Sequence, residues 1–261
     1  MFRSVLFIPC ANAKALAKAA TLHCDALIFD LEDAVGEAER DGALARLAET
    51  LAGSFAAKTV LVRIHPQYLG GIHKALAGVR IDGLVVPKVG GVSDITGVAH
   101  VWPEVPLWAM IETAQGVINL AEIAAASVKG LIAGPNDLRK DLHSRPMEDR
   151  QDILFALSQI VLHARANNLV ALDGVYNQFR DESGFAAECE QGRSLGFDGK
   201  TLIHPAQIAA CEAAFSPSEA EMEWAKAVVA AFEGGSAGVV SVNGEMVERL
   251  HLEQARRILG K

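Results

Sequence analysis

Residues 107–137 read LWAMIETAQGVINLAEIAAASVKGLIAGPND. Two short apolar runs, LWAMI and GLIA, flank a segment, GVINLAEIAAA, whose apolar residues recur with helical period. Strands apolar on both faces and joined through a helix are the unit of a parallel sheet. An acid follows each run: Glu112 directly after the first, Asp137 four residues past the second. A repeated acid in that place suggests a divalent-cation site, since a hard ion such as Mg²⁺ prefers carboxylate oxygens and keeps several waters. The alternatives are a helix cap for Asp137 and a buried ion pair for Glu112.

The same unit recurs on either side. Short apolar runs occur at VLFIP (5–9), ALIFDLED (26–33), VLVRIH (60–65), GLVVPKV (83–89), VALDGV (170–175) and GKTLIHP (199–205). Between them lie helical stretches such as AKALAKAATL, ALARLAETLA, ILFALSQIVLHARA and GFAAECEQGRSL. Eight units in succession predict an α/β chain forming a closed (β/α)₈ TIM barrel over residues 1–214. A doubly wound open sheet is the competing fold, but no GxGxxG follows a strand. The strand ends carry Pro9-Cys10, Asp30-Glu32-Asp33, Arg63-His65, Lys88, Glu112, Asp137, Asp173 and His204. In a barrel these residues share one rim, where active sites of this fold lie. For Asp30, Asp33 and Asp173, helix capping or salt bridging competes with a role in the site.

Residues 215–261 break the pattern. SPSEAEMEWAKAVVAAFE reads as a helix, GGSAG as a flexible break, and GVVSVNGEM as a hairpin turning at Asn243-Gly244. VERLHLEQARRILG closes the chain as a helix. This extension is expected to cover the barrel or reach a neighbouring subunit.

Composition narrows the function. The 261 residues carry a formal charge of −8, which disfavours general nucleic-acid or anionic-membrane binding. No apolar run is long enough to span a bilayer, which takes about 18 residues, and the start lacks a signal-peptide pattern. Cys10, Cys24, Cys189 and Cys211 form neither a CxxC pair nor a zinc spacing. A cytoplasmic protein is expected.

The ordered motifs RSVLFIP, IFDLEDAV, VRIHP, GLVVPKV, MIETAQG, NDL (136–138), ALDGVYNQFRDESGF, LGFDGKTLIHP and GVVSVNGEMVERLHLEQAR run along nearly the whole chain. In them the sequence resembles the citrate lyase β-subunit-like branch of the HpcH/HpaI aldolase superfamily, and among these the smaller bacterial members. The resemblance implies an Mg²⁺-dependent barrel (Mn²⁺ as alternative ion) that makes or breaks a carbon–carbon bond beside a CoA thioester. It implies Glu112 and Asp137 as metal ligands, with Arg63, Pro135 and Asn136 around the substrate. Arg63 would meet the charge of a departing thioester enolate, or serve as a salt bridge to Asp30, Glu32 or Glu112. Arg3 and Lys14 match basic positions near the CoA site, though surface cations are usually only solvated. Lys88 would brace Glu32 or Asp33.

Three positions depart from the family pattern: Cys10 for the usual Gly, His65 for the common Asn, and Glu248 for Asp in Met246-Val247-Glu248. Glu248 matches the family's catalytic acid, supplied by an adjacent subunit; the alternative is a solvated carboxylate at a helix start. The expected partners are an acyl-CoA and a 2-oxo acid, within a homo-oligomer (trimer or hexamer). The expected reaction is cleavage of a malyl-CoA- or citramalyl-CoA-type thioester. Alternatives are a thioesterase on the same acids, a citryl-thioester lyase subunit working on a carrier protein, and an aldolase on free 2-oxo acids. DLEDAV lacks the His that the last of these uses. Gly234–Gly238 fits GxSxG but lacks the strand–turn–helix context of a nucleophile elbow. His65, His204 and Cys10 have no partner in the sequence that marks them as catalytic.

Overall fold

A computed structural model describes residues 2–33, 35–53, 55, 59–233 and 238–260. The chain divides into two compact units, Met1–Phe215 and Ser216–Lys261. In the first, eight parallel strands close on themselves: β1 (Ser4–Pro9), β2 (Ala26–Asp30), β3 (Thr59–Arg63), β4 (Gly83–Val86), β5 (Leu107–Ile111), β6 (Gly130–Ala133), β7 (Val170–Asp173) and β8 (Gly199–Leu202). β8 pairs back onto β1, with Ser4 opposite Lys200. The expected barrel is therefore the observed one.

The helices follow the strands around the barrel. They are α1 (Ala13–Ala19), α2 (Arg40–Leu51), α3 (Leu69–Ala75), α4 (Val92–Val101), α5 (Ala114–Ile118), α6 (Leu120–Ala125), α7 (Pro135–Leu142), α8 (Leu154–Ala166), α9 (Glu182–Leu195) and α10 (Ile208–Ala214). β6 leads into α7, which starts on Pro135 and ends on His143 in the left-handed region. Proline suits a first helical position, where no N–H partner is needed.

Two apolar clusters show how the strand period of two sorts side chains. Val5, Ala26, Ile28, Leu61, Val85, Trp108, Met110, Ile132 and Leu172 fill the barrel interior. Leu6, Ile8, Leu27, Phe29, Val62, Leu84, Ala109 and Leu131 belong to the larger cluster that also contains the helices' buried residues. Extending the inward series by two residues reaches Asp30 after Ile28, Arg63 after Leu61 and Glu112 after Met110. Alternation alone thus turns these three charges toward the barrel axis at the strand C-termini.

The outward series ends in a buried ion cluster between strands and helices. Asp173 accepts from Arg150 Nη1 at 2.7 and 2.9 Å and from Lys200 Nζ at 2.8 Å. Lys200 also reaches Glu188 Oε1 at 2.7 Å. Burial opposes the Asp173 charge, but Lys200 and Arg150 more than reverse this and hold its carboxyl below the ordinary range.

The second unit contains α11 (Glu219–Phe232), the antiparallel pair β9 (Val239–Val242) and β10 (Glu245–Glu248), and α12 (Arg249–Ile258). Ser218 and Glu221 cap α11 reciprocally. Asn243 and Gly244 both have positive φ, 52° and 86°, as a two-residue type I′ hairpin requires. Ala225, Val228, Val242, Val247 and Ala255 form its small core. The last helix begins at Arg249 rather than Val247, because Met246–Glu248 pair with Ser241–Val239. Residues 234–237 of the GxSxG match lie outside the described residues. No helix of the described chain is long and apolar enough to cross a membrane.

Candidate active site

A cavity of about 310 Å³ opens at the C-terminal ends of the strands, lined by Arg63, Met110, Glu112, Pro135, Asn136 and Asp137 among others. Phe7, Asp30, Asn177 and Thr201 also line it. A larger hollow, about 690 Å³, lies among Phe2, Val60, Arg80, Trp108 and Lys129 at the strand N-termini. The smaller cavity is the candidate site, because the acids and the inward guanidinium converge there.

Glu112 is buried and sits one residue past β5. Its Oε1 accepts the backbone N–H of Lys88 at 2.7 Å. A Cβ on Gly134 would stand 2.4 Å from Glu112 Cβ and 2.5 Å from Oε2. Only glycine leaves room for this carboxylate, a steric requirement invisible in the sequence. Burial pushes the Glu112 carboxyl up to about 7 against the pull of the Lys88 N–H and Arg63, while Asp137 and Glu32 push the same way as burial.

Asp137 is in the first turn of α7, half-buried on the cavity wall. Its carboxylate makes no hydrogen bond or ion pair with any described residue. Gly174 lets β7 pack against the start of this helix: a Cβ there would lie 2.1 Å from Pro135 Cδ. The Asn136 and Asn177 amides bond reciprocally at 3.2 and 2.7 Å. Asn177, in the loop after β7, was not singled out from sequence; its signal is this pairing across 41 residues.

Arg63 ends β3 with its guanidinium inside the barrel mouth. Nε and Nη2 each donate to a separate oxygen of Asp30, both at 2.7 Å. Nη1 lies 3.1 Å from Glu32 Oε2 and 3.8 Å from Met110 Sδ. The Phe7 ring covers it, centroid to Cζ 5.0 Å. Burial disfavours its charge, but Asp30 above all reverses this and raises its pKa. Lys88 Nζ binds Glu32 and also Asp33, the latter at 3.1 Å.

Not every anticipated residue joins the cavity. Arg3 precedes β1, and six residues of extended chain from Arg3 to Pro9 span about 20 Å. Its Nε and Nη2 bind Asp25 at 3.0 and 3.1 Å, and its N–H binds the same carboxylate at 2.8 Å. Arg3 thereby ties β1 to the chain entering β2, at the end of the barrel opposite the cavity. Lys14 is exposed in the first turn of α1, which follows β1 and so lies toward the cavity end. Glu248 belongs to the second unit, where it precedes α12 and its N–H donates to His251 Nδ1 at 2.9 Å. His204 caps a turn, its Nδ1 accepting the Ala206 N–H at 3.2 Å, and stacks on Phe179. Cys10 is buried, and burial and Asp30 raise its thiol well above the ordinary value.

The acids fit a hard divalent ion. Glu112 keeps Oε2 without a described hydrogen-bond donor, and the Asp137 carboxylate shares its cavity. Burial first, and the neighbouring Asp137 charge after it, raise the Glu112 carboxyl, and a cation held between the two acids would offset both. No group of three or more His, Cys, Asp or Glu side chains among the described residues is placed to hold a metal. Mg²⁺ does not need one, since water and substrate oxygens complete its shell.

Acids beside a guanidinium at the strand-end rim of a barrel suit metal-assisted chemistry on a carbonyl or carboxylate substrate. The chain belongs to the HpcH/HpaI aldolase/citrate lyase family, whose model matches residues 3–205. It is 47% identical to a (3S)-malyl-CoA thioesterase of Cereibacter sphaeroides over all of this chain and 94% of that protein. It is 31% identical to the mitochondrial citramalyl-CoA lyase of Rattus norvegicus, over 98% of this chain and 85% of that protein. The structure of CitE from Mycobacterium tuberculosis, in complex with magnesium, acetoacetate and coenzyme A, superposes with a TM-score of 0.86. That comparison covers 99% of this chain and 97% of CitE at 31% identity.

Proposed function

We propose that the protein is an Mg²⁺-dependent carbon–carbon lyase, or synthase in reverse, acting on a CoA thioester of a malyl-CoA or citramalyl-CoA type. The observation that carries this reading is the meeting of Glu112, Asp137 and Arg63 in one cavity at the strand C-termini. Mn²⁺ is the alternative ion.

When bound, the ion supplies Lewis acidity toward an oxygen of the substrate. Glu112 and Asp137 hold it, and Gly134 leaves the room that Glu112 needs. The first-turn N–H groups of α7 at Asn136 and Asp137 lack intrahelical acceptors and suit a carboxylate of the 2-oxo acid. Pro135 fixes the start of that helix. In cleavage, a base takes the hydroxyl proton, the carbon–carbon bond breaks, and the thioester enolate leaves to be protonated as acyl-CoA. Arg63, held rigidly by Asp30 and Glu32, is the fixed donor for that negative charge. Lys14 is the proposed contact for a CoA phosphate, supported by its position after β1.

Glu248 is the proposed acid–base group, supported by its place in the 238–256 motif. It carries one methylene more than the family's Asp. The 215–261 extension is proposed as a separate functional segment and a trimer or hexamer as the assembly. The cytoplasm is the proposed compartment.

A second reading, thioester hydrolysis of the same substrates, is favoured by the 47% identity to the malyl-CoA thioesterase. Product analysis separates the two: cleavage releases acyl-CoA and a 2-oxo acid, hydrolysis releases free CoA and the intact hydroxy diacid.

A further inference from the structure

The backbone leaves β4 through Pro87-Lys88, and this dipeptide carries a role beyond bracing. Pro87 has no N–H, so Lys88 offers the first donor past the strand. Lys88 adopts φ +51°, the left-handed region that a non-glycine side chain rarely occupies. The chain is pinned again immediately afterwards. Val89 N–H bonds Met110 O at 3.3 Å, and a Cβ on Gly116 would lie 2.3 Å from Val89 O. The left-handed bend is thus locked between β4 and β5.

The bend aims two groups of one residue at two parts of the site. The Lys88 N–H donates to Glu112 Oε1 at 2.7 Å. The ammonium reaches the chain after β2, where it binds Glu32 and Asp33. Glu32 hands the connection to Arg63 Nη1 at 3.1 Å, and Arg63 is forked onto Asp30. A continuous path therefore runs from Glu112 through Lys88 and Glu32 to Arg63. Without the ammonium, Asp30, Glu32 and Asp33 would surround one guanidinium, and buried Glu32 would be drawn wholly onto Arg63.

We propose that Lys88 is a two-handed positioning residue: its backbone N–H orients the Glu112 carboxylate, and its ammonium restrains Glu32 so that Arg63 keeps a face toward substrate. This rests on the reading of Glu112 and Arg63 given above. Lys88 does not line the cavity and touches no reacting atom.

Three variants separate the two hands. Lys88→Gly keeps the N–H and favours the left-handed backbone but removes the ammonium. Lys88→Ala removes the ammonium and also resists the backbone conformation. Lys88→Arg restores a cation. Mn²⁺ binding to the protein is read by electron paramagnetic resonance of the free ion, and kcat and KM for the acyl-CoA by steady-state kinetics. The expected result for K88G is Mn²⁺ affinity near wild type with kcat lowered about 10- to 100-fold. K88R recovers most of that loss, and K88A binds Mn²⁺ distinctly more weakly than K88G. A wild-type kcat in K88G, or equal Mn²⁺ affinity in K88G and K88A, overturns the proposal. If wild type itself neither binds Mn²⁺ nor turns over a thioester, the site reading falls and the Lys88 role with it. If wild type does both and K88G matches it throughout, the Lys88 role alone falls.

Discussion

Arg63 and Asp30 meet as a two-pronged fork, with Nε and Nη2 each 2.7 Å from a separate carboxylate oxygen. The pair is buried inside the barrel mouth, which gives a guanidinium one fixed orientation. Removing one partner of a buried pair strands the other charge, at about 3–5 kcal/mol. Asp30→Ala is expected to destabilise the protein in urea unfolding by less than that amount, because Glu32 Oε2 stays 3.1 Å from Arg63 Nη1. Arg63→Lys, which keeps charge but loses the fork, is expected to lower kcat about 10²- to 10³-fold while preserving fold, as judged by circular dichroism.

Gly134→Ala tests the space reserved for Glu112. The added methyl would overlap both Cβ and Oε2 of that side chain. The expected outcome is loss of Mg²⁺-induced thermal stabilisation, with an overpacking cost of about 1–3 kcal/mol in the metal-free protein. Differential scanning fluorimetry with and without Mg²⁺ measures both.

The raised Glu112 carboxyl predicts a pH dependence. An unfolded Glu ionises near 4.3, about the ordinary value, whereas the folded one holds its proton up to about 7. Between these values the folded state binds more protons, so this group's contribution to stability falls as pH rises. Mg²⁺ needs the ionised form, so the Mg²⁺-induced rise in Tm should grow from pH 5.5 to 8. Glu112→Gln should flatten both trends, and their persistence in the variant would assign them to another group.

Asp173 predicts the opposite behaviour. Its folded carboxyl is held below the ordinary range by Lys200 and Arg150. Its stabilisation is present above the unfolded value, about 3.9, and is lost as pH falls through the folded value. Acid unfolding below about pH 4 should therefore be less steep in Asp173→Asn, which will already be weakened at neutral pH.

The barrel was legible because most strands are apolar on both faces and are followed by helical period. The shared rim of Glu112, Asp137 and Arg63 followed from strand ends alone. What escaped notice depends on contacts between distant residues. The need for Gly134 arises only once Glu112 is placed beside it, and Asn177 matters only because it meets Asn136. The motif around Arg3 identifies β1 but not the partner of Arg3, Asp25, which holds it at the far end. The left-handed backbone of Lys88 has no sequence signature in a residue other than glycine or asparagine.

The central claim is that Glu112 and Asp137 hold the ion that this barrel uses on a hydroxyacyl-CoA. The most direct measurement is mass spectrometry of malyl-CoA and citramalyl-CoA incubated with wild type, with Glu112→Ala and with Asp137→Ala, each with Mg²⁺ or with chelator. The account predicts Mg²⁺-dependent formation of acyl-CoA and a 2-oxo acid by wild type alone. Free CoA with intact hydroxy diacid would move the reaction to hydrolysis at the same site. Full, Mg²⁺-dependent turnover in either variant would contradict the account.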